Sequence, residues 1–264
     1  MTRPRLVATD LDGTLVRSDG TVSAYTQDVL ATLDEQDVPV VFVTGRPLRW
    51  AEDVFDHVGR HGLAVISNGA LVWDVAKREP VLTRTIAPAV GVEVCELIRA
   101  AVPGSAFAVE TLEGISLEVD FRERHPVPDG SRRGAIAELF TSPALKLLAR
   151  HEELGYQEFW DRAAAAIGDR AVITWSSTSS LLEISAAGVT KATTLAVLAQ
   201  QLGVDPSEAV AFGDMPNDID MLTWAGTSYA MADAHPTVRE AAQHVAPAND
   251  DDGVARVLSE IFRL

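Results

Sequence analysis

The chain has 264 residues, 47% of them apolar and 23% charged, which is ordinary globular usage and excludes an intrinsically disordered chain. Its 22 basic and 38 acidic side chains leave a formal charge of −16, which argues against a nucleic-acid partner because nothing would neutralise phosphates over a broad surface. One local cationic pocket for a small anion stays compatible with that balance. The single cysteine, Cys95, excludes an intrachain disulfide and argues against a thiolate zinc site. The apolar stretch before Asp10 is too short for a signal-peptide core, and no run approaches the ~20 apolar residues that span a bilayer. The expectation is a cytoplasmic protein without a membrane or nucleic-acid partner.

Short apolar runs alternate with helical patterns from the start of the chain. Residues 6–9 predict a strand ending at Asp10, and Ser23 predicts the cap of a helix with Val29, Leu30 and Leu33 on one face. Residues 38–44 hold Val40, Val41, Phe42 and Val43, a pattern suited to a strand buried on both faces of a parallel sheet. A helix over 47–57 and a strand over 63–67 follow. Hairpins are then predicted for 70–73 with 81–86, 105–109 with 115–119, and 171–175 with 181–185. Helices at 88–102 and 152–167 and a strand at 144–149 fall among them, and 122–143 reads largely as loop. From Thr190 the first rhythm returns, with helices at 191–202, 216–224 and 254–262 and strands at 209–213, 227–231 and 244–246. The fold class implied is α/β: a doubly wound, Rossmann-like parallel sheet over residues 1–83 and 188–264, with an α+β unit inserted at 84–187.

Three strings follow predicted strands, at the edge where open α/β sheets bind ligands. Asp10-Leu11-Asp12-Gly13-Thr14-Leu15 sets two carboxylates on a turn that glycine frees; alone, it also fits an ordinary acidic turn. Thr44-Gly45-Arg46 offers a hydroxyl and free N–H groups at a helix start, or simply a helix cap. In Gly213-Asp214-Met215-Pro216-Asn217-Asp218, Asp214 and Asp218 lie four apart and can face one way; acids at a helix start also suit its dipole. Together the strings say more than each alone. Several carboxylates at one edge repel, and a divalent cation with oxygen ligands, Mg²⁺ above all, removes the conflict. Lys191 opens a helix, an unfavourable place for a cation unless a buried anion is near.

This ordered set resembles the haloacid dehalogenase-like (HAD) superfamily, and Ser67-Asn68-Gly69-Ala70, Ala230–Asp233–Ala234 and the run from Asn249 to Ala255 are similar to its Cof-type branch. Lys191 precedes Ala192 where many relatives have glycine. The resemblance implies a Mg²⁺-dependent phosphatase of small phosphorylated metabolites, with sugar phosphates foremost, working through an aspartyl-phosphate. Asp10 is then the nucleophile, and Asp12 the acid and later the base. Asp10, the Asp12 carbonyl, Asp214 and, directly or behind them, Asp218 hold the metal. Thr44, Gly45, Lys191 and Asn217 hold the phosphoryl oxygens, and Arg46 is a candidate substrate contact. The short interval from Asp12 to Thr44 and the long one from Thr44 to Lys191 match the family's C2B cap, on which Glu118, Lys146, Trp175 and Glu183 are weaker candidates.

A sugar phosphomutase and a non-catalytic metabolite-binding regulator on the same fold are the alternatives. A dehalogenase is disfavoured because its chemistry needs no acid at Asp12. The chain is expected to be a monomer or a small homo-oligomer.

Overall fold

The computed structural model describes residues 3–58, 62–174 and 180–264. The chain forms two compact units, Met1–Leu82 with Lys191–Leu264, and Thr83–Thr190.

The first unit begins with β1 (Leu6–Thr9), α1 (Ala24–Glu35), β2 (Val40–Val43), α2 (Leu48–Val58) and β3 (Leu63–Ile66). β1 and β2 are buried at every position, as expected of strands covered on both faces. Ser23 caps α1, its Oγ accepting the Thr26 amide at 3.0 Å. A short 3-10 turn, Ser67–Gly69, reverses the chain with Ser67 and Asn68 in the left-handed region, φ 52° and 55°. β4 (Leu71–Asp74) then runs antiparallel to β3, pairing Val65 with Val72, and β5 (Glu79–Thr83) forms the sheet edge. The two strands of the first predicted hairpin therefore extend the parallel sheet, β4 as a reversed strand and β5 at its edge.

The inserted unit contains α3 (Pro88–Ala101), β6 (Ala106–Thr111), β7 (Gly114–Glu118), β8 (Arg133–Gly134), α4 (Ile136–Leu139), β9 (Lys146–Arg150), α5 (Tyr156–Ile167), β10 (Ala171–Thr174) and β11 (Leu181–Ala186). Its strand order is β10-β11-β9-β6-β7-β8. Strand alternation sorts the residues: Phe107, Val109, Leu147, Ala149, Leu182 and Ile184 join the core with Val94, Ile98 and Phe159 of α3 and α5, while Ala106, Ala108 and Leu148 join a smaller cluster with Phe121. β8 and α4 break the stretch read as loop. α5 starts at Tyr156 and not at 152, because the His151 ring nitrogen accepts the Glu153 and Leu154 amides and holds a turn there. Trp175, a candidate from the sequence, lies outside the described residues.

The first unit resumes with α6 (Lys191–Gln201), β12 (Ala209–Gly213), α7 (Ile219–Trp224), β13 (Thr227–Met231), α8 (Pro236–Ala241), β14 (His244–Ala246) and α9 (Gly253–Phe262). The helix expected at 216–224 divides into a 3-10 turn, Pro216–Asp218, followed by α7, and α8 is additional to the expected elements. The eight-stranded sheet runs β14-β13-β12-β1-β2-β3-β4-β5. β1 is central, with Thr9 level with Phe212 of β12 on one side and Phe42 of β2 on the other. The loops that leave these three strands therefore open side by side at the carboxyl edge, and they begin at Asp10, Thr44 and Asp214.

Candidate active site

Asp10 follows β1 and is buried; its amide donates to the Phe212 carbonyl at 3.0 Å, which ties the loop to β12. Lys191, at the start of α6, is equally buried. Its Nζ donates to Asp10 Oδ1 at 2.6 Å and to Asp218 Oδ1 at 2.7 Å. The two carboxylates supply the buried anion that the placement of Lys191 called for. Burial alone would lower the Lys191 pKa, but Asp10 and Asp218 outweigh it and raise it, so the ammonium stays charged.

Asp218 is held from both sides. Its second oxygen accepts the amides of Asp214 and Met215, each at 3.1 Å. A Cβ on Gly213 would lie 2.5 Å from that of Asp218, so glycine is what lets this acid fold back beneath the loop. Asp214 Oδ1 accepts from Thr14 Oγ1 at 3.0 Å. Gly13, at φ +74°, passes so close that a Cβ there would come within 2.4 Å of Asp214 Oδ2. The motif glycine thus serves both a left-handed turn and the approach of the second acid.

Carboxylate oxygens of Asp10, Asp214 and Asp218 lie within 4.8 Å of one another. Three acids share one ammonium, and negative charge is in excess. Burial raises the Asp10 pKa well above its ordinary value, opposed by Lys191 and reinforced by Asp218 and Asp214. Burial and then Asp218 lift Asp214 to about 7. The donor set is all oxygen, which suits a hard dication such as Mg²⁺.

Asp12 lies outside this cluster and pairs with Arg46. Arg46 Nε donates to Asp12 Oδ2 at 2.8 Å and Nη2 to Oδ1 at 2.6 Å. Thr44 is buried at the end of β2, and its Oγ1 accepts the Arg46 amide at 3.0 Å; Gly45 lies between them in the turn into α2. Asn217 Nδ2 donates to Asn68 Oδ1 at 3.3 Å, and Asn217 Oδ1 is buried without a partner among the described residues.

Sequence reasoning did not find the supports of the first loop. Arg17 forks onto Asp252 through Nε (3.2 Å) and Nη2 (2.7 Å), Asp250 accepts the Ser18 amide at 2.8 Å, and Asn249 Nδ2 donates to the Val16 carbonyl at 2.9 Å. The family resemblance makes the acidic run 250–252 a loop near the site; that it braces the segment after the first motif is seen only in the structure. In the inserted unit, Glu118 accepts from Arg99, Phe107 N and Ile136 N, and Lys146 pairs with Glu183 at 3.0 Å.

The model of the haloacid dehalogenase-like hydrolases matches residues 7–258, and the chain belongs to that family, as its Cof-type motifs imply. It is similar to the 5-amino-6-(5-phospho-D-ribitylamino)uracil phosphatase of Bacillus subtilis, 27% identical over 100% of this chain and 99% of the relative. It is also similar to the phosphoglycolate phosphatase of Halorubrum lacusprofundi, 29% identical over 97% and 96% of the two chains. A solved structure from Bacteroides thetaiotaomicron, a phosphatase of the HAD superfamily, superposes with a TM-score of 0.83 at 24% identity, covering 99% of this chain and 96% of that one, a likeness of fold. No helix among the described residues is long and apolar enough to cross a membrane.

Proposed function

We propose that this hydrolase is a Mg²⁺-dependent phosphatase of small phosphorylated metabolites, sugar phosphates foremost, acting through an aspartyl-phosphate on Asp10. The observation that carries the reading is the buried cluster in which Lys191 bridges Asp10 and Asp218 while Asp214 stands beside them. A cluster with excess negative charge and only oxygen donors fits a dication, held by Asp10, the Asp12 carbonyl and Asp214. Asp218, with both oxygens already taken by Lys191 and two amides, acts from behind. When bound, Mg²⁺ offsets carboxylate charge and lets an anionic phosphoryl group approach.

Asp10 attacks phosphorus, and the leaving oxygen takes a proton from Asp12. Asp12 then takes a proton from the water that cleaves the acyl phosphate. Lys191, Thr44, the Gly45 amide and Asn217 hold the phosphoryl oxygens; phosphoryl transfer is mostly such positioning and charge stabilisation. In this reading residues 84–187 are the cap of the family and set substrate choice.

The test is phosphate release over a panel of phosphorylated metabolites with and without Mg²⁺. Mg²⁺-dependent release from sugar phosphates supports the reading. Isomerised sugar phosphate without free phosphate indicates a mutase, and no turnover over the whole panel indicates a binding protein.

A further inference from the structure

We infer that Arg46 is the positioning residue for the acid Asp12. The inference rests on the phosphatase reading and adds to it a group that reaches the reaction only through Asp12. Asp12 sits on a loop with its side chain 55% exposed, and among the described residues the fork from Arg46 supplies its side-chain hydrogen bonds. Without that fork an exposed carboxylate samples several rotamers. With it, two parallel N–H···O bonds fix both the direction and the plane of the carboxylate.

The fork is itself anchored. Arg46 Nη1 donates to the Trp50 carbonyl at 3.1 Å, and the Arg46 amide donates to Thr44 Oγ1 at 3.0 Å. A guanidinium fastened at Nη1 to the first turn of α2 presents Nε and Nη2 to one acid. A lysine at this position would offer a point charge without the plane. This geometry makes Arg46 a part of the proton-transfer machinery, in place of the substrate contact suggested by its sequence position.

The step it serves is balanced. A bond forms from an Asp10 oxygen to phosphorus, and the bond from phosphorus to the alkyl oxygen breaks. The electron pair stays on that oxygen, which takes the proton from Asp12. In the acid form one Asp12 oxygen bears the proton, and one arm of the fork keeps the other in place.

General acid assistance matters where the leaving group is a poor one. An alkyl oxygen needs the proton; a 4-nitrophenolate departs without it. The experiment compares the unmodified enzyme, Arg46→Gln and Arg46→Lys on glucose 6-phosphate or glycerol 2-phosphate and on 4-nitrophenyl phosphate, all with Mg²⁺ and with folding checked by thermal melting. A misaligned acid should lower kcat of Arg46→Gln on the alkyl ester by about 30-fold or more, against about threefold on the aryl ester, with KM little changed on either. Arg46→Lys should recover only part of the loss. Equal loss of kcat on both esters, a rise in KM alone, or a gain in turnover each overturns the inference, pointing to a structural, substrate-binding or blocking role. If neither of these alkyl esters is turned over, the alkyl ester used is one that the unmodified enzyme hydrolyses in the metabolite panel; no turnover over that whole panel overturns the phosphatase reading itself, and the inference with it.

Discussion

Lys191 Nζ lies 2.6 Å from Asp10 Oδ1, although 181 positions of chain separate the two residues. Both side chains are almost dry, at 2% and 7% exposure, so neither charge is tolerable without the other. Lys191 also carries Asp218, and one ammonium thus compensates two buried acids. Replacing it strands both of them. Lys191→Met should lose about 3–5 kcal/mol of stability, read by denaturant unfolding, together with phosphatase turnover. A variant as stable as the parent would show that the acids are compensated in some other way.

Asp10→Asn tests the nucleophile with the fold kept. The amide has nearly the same shape, and Lys191 retains Asp218 as a partner. Phosphate release should vanish while the melting temperature stays close to that of the parent. Full turnover by this variant would remove Asp10 from the role.

Asp214 should set a pH dependence of the metal-free protein. Its folded pKa of about 7 stands above the reference value of 3.8, so between these limits the folded state binds more protons than the unfolded one. Stability from a raised carboxyl is present at low pH and lost as pH climbs through the folded value. Without divalent ions the melting temperature should therefore fall from pH 5.5 to 8, and Asp214→Asn should flatten that slope, with Asp10 accounting for what remains. Mg²⁺ should raise melting more at pH 8 than at pH 5.5, because the ion competes with a proton. Identical slopes in parent and variant would assign the effect elsewhere.

Gly13→Ala joins two strains, a side chain at φ +74° and a Cβ within 2.4 Å of Asp214 Oδ2. A loss of about 1–3 kcal/mol is expected from such a position. The Mg²⁺-induced rise in melting temperature should shrink as well, because Asp214 must give way. An unaltered Mg²⁺ response would separate the turn from the ion site.

Asp252→Asn probes the brace behind the first motif. Asp252 adopts φ 57°, which asparagine also tolerates, so the substitution removes charge with little backbone cost. The Arg17–Asp252 pair is partly exposed to solvent, and its loss should move the chemical unfolding midpoint slightly to lower denaturant. No change on unfolding would make the pair a spectator.

The sheet positions close to the chemistry were readable because each motif keeps its residues contiguous. A fully buried β1 that leads into Asp10, or a β2 that leads into Thr44, shows the same pattern in the sequence as in the fold. Elsewhere the period was ambiguous. β4 alternates no differently for pairing antiparallel to β3, and only the left-handed Ser67 and Asn68 turn it back into the first sheet. α8 is six residues long, too short for a helical period to show. The start of α5 was set by a histidine ring accepting two amides, a contact with no compositional mark.

Composition and local spacing by themselves determined the inventory: an acidic α/β chain with Asp10, Asp12, Thr44, Lys191, Asp214 and Asp218 placed at strand ends and helix starts. Tertiary structure decided how these groups are paired. Lys191 takes Asp10 and Asp218, Asp214 leans on Thr14, and Asp12 turns to Arg46. The reason is physical: hydrophobic patterning fixes which residues leave a strand at its carboxyl end, whereas the sharing of one ammonium among buried acids depends on the order β12-β1-β2 and on distances that no single stretch of chain encodes.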